Sequence, residues 1–547
     1  MPFNVEISGE GAISCDGPVT GRDIMGLSQT QTSGRHVVAW RVNQYLRPLS
    51  WVVDDDAVAE FVDTSDFEGI SVYRSTLSFL LVIACRRVLG RDILIRHAIS
   101  DGYFCEPLNG NIAPDEVPAI RAGMNELIEK DLPITREVLS LDRARRVFER
   151  QGDKAKASLL HSTGIDPVTV YRCDGVYGFF YVPLAPSTGY MSSWGLEPYD
   201  DGMVLRFPTV AFPRELPPFR VPEKLAGVFS EYSGWLDILD VGTMESLHRH
   251  VTAGRATELI LVSEALHNRR LSHLAEKITQ KNGARLLCLA GPSGSGKTTT
   301  AHRLGVSLKV CGARPVAISL DDYFLERDKT PRDEHGNYDF EALEALDLDL
   351  INEHLSLLMK GRAVRVPRFN FLTGRREEGP KIHLKDRDLL IIEGIHGLNE
   401  RLTETVPEEA RFKIYISPLT GIGFDRHNRT STTDNRLLRR LVRDCRIRGK
   451  SAGKTLAQWP SVIRGAQKYI FPYQEKADEM FNSALVYELS VLKGYAEPLL
   501  RTVGENEPVY GDAQRLLNLL RYVPFIPSDM VPNTSILREF IGGSCFQ

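Results

Sequence analysis

The stretch Gly291-Pro-Ser-Gly-Ser-Gly-Lys-Thr298 directly follows the apolar run Leu286-Leu-Cys-Leu-Ala290. Strand, glycine loop and helix in that order are the pattern of a phosphate-binding loop. Gly291, Gly294 and Gly296 allow backbone N–H groups to curl around phosphate oxygens at a turn that a Cβ would block. Pro292, Ser293 and Ser295 complete the loop, and Thr299 continues it into the helix. In such a loop Lys297 neutralises the β- and γ-phosphates of ATP and Thr298 ligates Mg²⁺.

Working outward, the region from Arg285 alternates short apolar runs with helical segments, the pattern of a parallel α/β sheet with helices on both faces. Pro315 to Leu320, Asp388 to Ile392, Phe412 to Ser417 and Ala484 to Leu489 are expected as the further buried strands, and Thr298 to Val310 as a helix closed by Gly312. Ligands in such sheets bind beyond the carboxyl ends of the strands. Two ends carry acid. Pro315–Leu320 runs into Asp321-Asp322-Tyr323, and Leu389-Leu-Ile-Ile392 runs into Glu393. A carboxylate at Asp321 can accept a hydroxyl proton, and Glu393 stands where Mg²⁺ is held. Between Arg436 and Arg448, spacings of four and three residues place Arg436, Arg440 and Arg443 on one helical face, suited to closing over a transferring phosphoryl group.

Length and charge bound the rest. A chain of 547 residues is too long for one core. Residues 1–240 carry 23 Lys+Arg against 33 Asp+Glu, a net −10 that leaves +6 for residues 241–547 of the total −4. An acidic front half is poorly suited to gripping a phosphate backbone, which disfavours nucleic acid as its partner. The longest apolar run, Leu77 to Cys85, is far short of a bilayer span and is expected as a buried helix, so no membrane association is expected. The 8 cysteines are scattered without a CxxC pair, and no secretion signal is read at the start; a cytoplasmic location is expected. Expected organisation is a small α+β module at 1–65, a mixed domain at 66–240, a helical connector at 241–282, the α/β domain at 283–500 and a C-terminal segment at 501–547.

In residues 285–500, the motifs GPSGSGKTT, ISLDDYF, NYDFEAL, LLIIEGIHGLN, IYISP and LRRLVRDCRIRG stand in the order of the uridine kinase and phosphoribulokinase family, which the region resembles. The resemblance implies an α/β P-loop kinase using ATP and Mg²⁺ on a nucleoside-like small-molecule acceptor. It implies that Asp321 is the base, that Tyr323, Asp339, Phe369, Arg376 and Gln458 lie at the acceptor, and that Arg440, Arg443 and Arg448 form a lid serving the phosphates. Where uridine-cytidine kinases carry a Tyr and a His against the pyrimidine, this chain offers Phe369 and Gly374, so the base itself does not follow. The longer Arg426-His-Asn-Arg-Thr-Ser-Thr-Thr-Asp-Asn435 ahead of the lid is expected to reshape the acceptor site.

Residues 1–215 resemble the front of threonyl-tRNA synthetase, a TGS domain followed by the domain that edits mischarged tRNA, through Ile99-Ser-Asp-Gly-Tyr-Phe-Cys105 and the stretch from Ala119 to Asp131. Phe79, Ile83, Phe180 and Leu184 fall at that family's metal-site positions, and four apolar side chains cannot ligate Zn²⁺. Two function classes remain at this level: a kinase acting on a small molecule, or a regulatory NTPase linked to tRNA or the ribosome. Homo-oligomerisation is left open.

Overall fold

The computed structural model describes residues 2–9, 11–27, 36–333, 336–371, 373–385 and 387–546. Leu372, inside the segment expected to meet the acceptor, lies outside the described residues.

The α/β domain is built on a five-stranded sheet ordered Arg314–Ser319, Asp388–Gly394, Leu286–Ala290, Arg411–Ser417, Glu479–Asn482. All four pairings are parallel. Side chains alternate across the strands, so Leu287, Leu289, Ile391, Ile414 and Ile416 join one apolar core while Leu286, Cys288, Leu390 and Ile392 join another on the opposite face. Burial on both faces explains why the two central strands, Leu286–Ala290 and Asp388–Gly394, carry the longest apolar runs. The first core gathers the helices Met244–Thr252, Ala256–Gln280, Lys297–Val310, Thr432–Ile447 and Tyr510–Leu520. The second takes Leu348–Met359.

One expected strand is corrected. The fifth strand is Glu479–Asn482, and Ala484 to Leu489 forms a turn leading into the helix Glu488–Leu500. That turn is apolar because it is enclosed on all sides: Asn482 bonds both ways with the backbone of Leu419, and Ser483 Oγ donates to the Ser295 carbonyl beneath the phosphate loop at 2.5 Å. Enclosure, not pleating, set its composition.

In the front half, Phe3–Ile7 pairs antiparallel with Gly11–Cys15 and parallel with Ala57–Asp63, which Val37–Val42 then joins antiparallel. The helix Phe67–Leu89 is long and apolar enough to cross a membrane by length and composition, yet it forms the core of the next unit, packed with the helix Val117–Glu129 and ended by Gly90 at φ 63°. A four-stranded antiparallel sheet, ordered Gly195–Tyr199, Gly202–Arg206, Gly102–Pro107, Ile93–Ile99, covers it. Phe79, Ile83, Phe180 and Leu184 lie together in this core, each at most 5% exposed, with the Phe79 and Phe180 rings 5.4 Å apart.

The segment Arg426–Asn435 is a second correction. Instead of reaching the acceptor side, it docks on the front half: Ile95 N donates to the Arg426 carbonyl at 2.8 Å, Arg429 Nε to the Arg96 carbonyl at 2.9 Å, and Asn428 Nδ2 to the Phe179 carbonyl at 2.8 Å. Beneath it Lys156, fully buried, sits 3.4 Å from Asp153, 3.5 Å from Asp425 and 3.2 Å from His427 Nδ1, while His427 Nε2 meets Asp92 at 3.0 Å. These charges compensate one another, which is what their burial requires.

Candidate active site

The phosphate loop leaves the central strand and enters the helix Lys297–Val310 through Gly294 and Gly296, both at φ 80°. A Cβ on Gly291 would stand 2.0 Å from the Ile416 carbonyl oxygen, and one on Gly294 2.8 Å from that of Arg436. The glycines are therefore required by close backbone approach as well as by dihedral angle.

Around the loop converge the ends of the two neighbouring strands. Thr298 Oγ1 donates to Glu393 Oε1 at 3.2 Å, and Ser319 Oγ donates to the same oxygen at 2.8 Å. Burial, and next the nearby charge of Asp321, pushes Glu393 up to about 7 against the opposing pull of Lys297. Burial lowers Lys297 from its ordinary value while Glu393, Asp321 and Glu539 push back. Asp321, half-buried in the turn Leu320–Tyr323, thus shares one electrostatic centre with Lys297 and Glu393. Its neighbour Asp322 is committed elsewhere, accepting from Phe369 N at 3.1 Å.

The arginine helix Thr432–Ile447, expected as a lid, is anchored in the core by one face. Leu437, Leu438, Leu441 and Val442 belong to the core, and fully buried Arg439 pairs with Glu488, its Nε donating to Oε2 at 2.7 Å. Its other face reaches the loop: Arg436 Nε donates to the Ser293 carbonyl at 3.0 Å and Arg440 to Ser293 Oγ at 2.8 Å. Asp444 gathers the rest, with Arg440 at 3.3 Å, Arg443 at 3.1 Å and Arg448 at 3.7 Å. Burial, followed by the like charge of Arg443, pulls Arg448 down to about 10. Three arginines share this one carboxylate, with half-buried Lys450 close by, a cluster that an anion would stabilise.

The expected acceptor residues divide. Phe369 packs tilted against Phe324, ring centroids 5.7 Å apart, and edge-to-face with Phe371 at 5.2 Å, and the Arg448 guanidinium lies 4.9 Å over Phe371, so an aromatic wall meets the arginine cluster. Asp339 is half-buried, accepting from Tyr469 OH at 3.2 Å. Tyr323 is turned away, its hydroxyl 2.9 Å from His354 Nδ1 in the core. Arg376 pairs with Asp347 at 2.9 Å, and exposed Gln458 accepts from Lys450 at 2.8 Å. Tyr323 and Arg376 therefore have established partners outside the centre, whereas Gln458, through Lys450, lies beside the arginine cluster. Gly374 sits at φ 69° against Arg327, a backbone state that a histidine would strain.

Sequence reasoning passed over Glu341 and Glu539. Glu341, in the NYDFEAL motif, keeps one buried carboxylate oxygen without a hydrogen-bond partner among the described residues; burial raises it, against Arg440, Lys297 and Arg436. Glu539, from the C-terminal segment, accepts from Thr299 N at 3.1 Å, at the helix N-terminus that the phosphate loop presents to anions. The first sits in a recognisable motif; the second is far away in sequence and carries no local signal.

A parallel sheet with a glycine loop at its centre, a Thr–Glu pair at 3.2 Å and a carboxylate beside the loop lysine define a P-loop kinase domain. The phosphoribulokinase / uridine kinase family model matches residues 286–489. A uridine kinase of Staphylococcus aureus (strain JH9) is 30% identical over 194 residues, covering 35% of this chain and 84% of that protein. The chain belongs to the phosphoribulokinase and uridine kinase family. Among solved structures, a possible uridine kinase from Bacillus stearothermophilus is similar at 25% identity and a TM-score of 0.22, covering 27% of this chain and 79% of that one. D-glycerate 3-kinase from Cryptococcus neoformans var. grubii follows at 15% identity and a TM-score of 0.20, covering 53% and 88%.

Proposed function

We propose that this chain transfers the γ-phosphoryl group of ATP to a hydroxyl of a nucleoside-like small molecule. The observation that carries this reading is the shared centre of Lys297, Asp321 and Glu393, where a base, a phosphate-neutralising cation and a metal-capable carboxylate stand at the ends of adjacent strands. In the transfer, the acceptor oxygen bonds to Pγ, the bond from Pγ to the ADP oxygen breaks, and the hydroxyl proton passes to Asp321. Thr298 and Glu393 offer the hard oxygen ligands that Mg²⁺ takes, and the ion would neutralise charge on the phosphates. Lys297, with Arg440, Arg443 and Arg448, stabilises the charge spread over the transferring group.

The Phe324, Phe369 and Phe371 wall supports an acceptor with a planar ring, recognised by stacking more than by hydrogen bonds to its edge. In the front half, the four positions that the synthetase resemblance would assign to metal ligands, Phe79, Ile83, Phe180 and Leu184, are buried and apolar, which supports no metal-dependent hydrolysis at those positions. ATP consumption measured against nucleosides, ribose derivatives and other hydroxylated metabolites, with mass spectrometry of the products, tests the proposal. One phosphorylated acceptor is the expected result. Hydrolysis without a phosphorylated product, raised by tRNA, would replace the kinase reading with that of a regulatory NTPase.

A further inference from the structure

Where the docked segment meets the front half there is a cavity of about 140 Å³, walled by the helix Phe67–Leu89, the segment 427–434 and the helix Ala452–Tyr469. An apolar cavity of about 150 Å³ takes a molecule the size of benzene. This one is not simply apolar. Arg74 and Arg429 both line it, their guanidinium carbons 5.9 Å and 4.9 Å from the centroid of the same Tyr103 ring.

The lining charges match in number, Glu68, Asp434 and Asp512 against Arg74, Arg429 and Arg515, but not in pairing. Three carboxylates also line the cavity, but Glu68 is held by Arg41 at 2.5 Å and Asp434 by Arg515 at 2.9 Å, with Asp512 4.0 Å from that same arginine. Among the described residues neither Arg74 nor Arg429 has a carboxylate partner; Arg74 donates to Ser71 and Arg429 to the Arg96 carbonyl. Burial lowers Arg429 from its ordinary value, and Arg74 adds to that fall against Tyr103. Two neighbouring cations left uncompensated in a partly enclosed space are stabilised by an anion placed between them.

From this we infer that the cavity binds a small organic anion, its carboxylate or phosphate between Arg74 and Arg429 and its body against Trp459, and that occupancy alters nucleotide binding. The connection is short. Trp459 lines the cavity, the Arg436 guanidinium lies 5.4 Å over its ring, and Arg436 Nε grips the Ser293 carbonyl of the phosphate loop. A ligand that shifts Trp459 therefore acts on the loop through one side chain. The site stands independently of which acceptor, if any, the kinase centre uses.

The test is calorimetric titration of the full chain with benzoate and with phenyl phosphate, the phosphate loop first saturated with a non-hydrolysable ATP analogue. Saturable binding is expected, weakened at least tenfold in both R74Q and R429Q, with thermal unfolding scans verifying that each variant is folded. Benzoate binding tighter would assign a carboxylate ligand, phenyl phosphate a phosphate ester. By linkage, the factor by which the probe changes affinity for the ATP analogue must equal the factor by which the analogue changes affinity for the probe. No saturable binding, or binding unchanged in both variants, overturns the site; binding with a coupling factor of one overturns its link to the loop.

Discussion

The two halves of this molecule each hold a buried centre, and the two are opposites. Beneath the phosphate loop, Lys297, Asp321, Glu341 and Glu393 crowd together, with Glu393 forced up to about 7 and Lys297 pulled down. In the front half, Phe79, Ile83, Phe180 and Leu184 fill the corresponding depth with hydrocarbon. Stability alone favours the second arrangement, since buried charges are costly even when paired, whereas a buried Phe or Leu contributes roughly 1.5–3 kcal/mol. Perturbed carboxylates gathered around a loop lysine mark a centre suited to chemistry, while the packed hydrocarbon of the front half has the composition of an ordinary core.

The largest test of that contrast is Asp321→Asn, which should cut turnover by about 10²–10⁴-fold while leaving ATP affinity nearly intact, read as kcat beside a nucleotide Kd. Full turnover would remove the base from the polar centre. Lys156→Met attacks the seam between the halves: it strands Asp153 and Asp425, and denaturant unfolding should reveal a loss of about 3–5 kcal/mol. In the apolar centre, Phe180→Ala should cost about 3–5 kcal/mol with kcat preserved in the protein that remains folded. A large loss of kcat there would mean that the front half takes part in the chemistry.

Smaller effects sharpen the polar side. Because Glu393 is raised from 4.5 to about 7, the folded state binds its proton more tightly than the unfolded chain does. Its contribution to stability is complete below pH 4.5 and is lost as pH rises through about 7. Mg²⁺–ATP should therefore raise the melting temperature more at pH 8 than at pH 6, and Glu393→Gln should flatten that difference. The smallest expected effect is at Glu539, whose carboxylate occupies a loop N–H at the helix N-terminus. Glu539→Gln should raise ATP affinity by roughly two- to fivefold, the worth of one charge at a helix end; unchanged affinity would mean that the carboxylate and the nucleotide do not compete.

Much of the kinase half was legible because its signals are local. Loop, strand and helix are contiguous from Leu286 to Val310, and acids directly follow two strands. The errors have a common physical origin. Ala484 to Leu489 has strand-like composition because tertiary enclosure, like pleating, demands apolar side chains. Tyr323 sits in a binding motif but its hydroxyl is bound to His354, a partner 31 positions away. Helical spacing grouped Arg436, Arg440 and Arg443, while the burial of Arg439 depended on Glu488 in another helix.

What the sequence determined by itself was the phosphate loop, four of the five strands of its sheet and the acids that follow two of them, since backbone conformation and side-chain periodicity act over a few residues. Only the tertiary structure decided that Arg426–Asn435 clasps the front half, that Glu539 returns to the loop helix and that Arg74 and Arg429 share a cavity. Those contacts join residues separated by hundreds of positions, and no pattern within a short window records which distant partner will balance a charge once water is excluded.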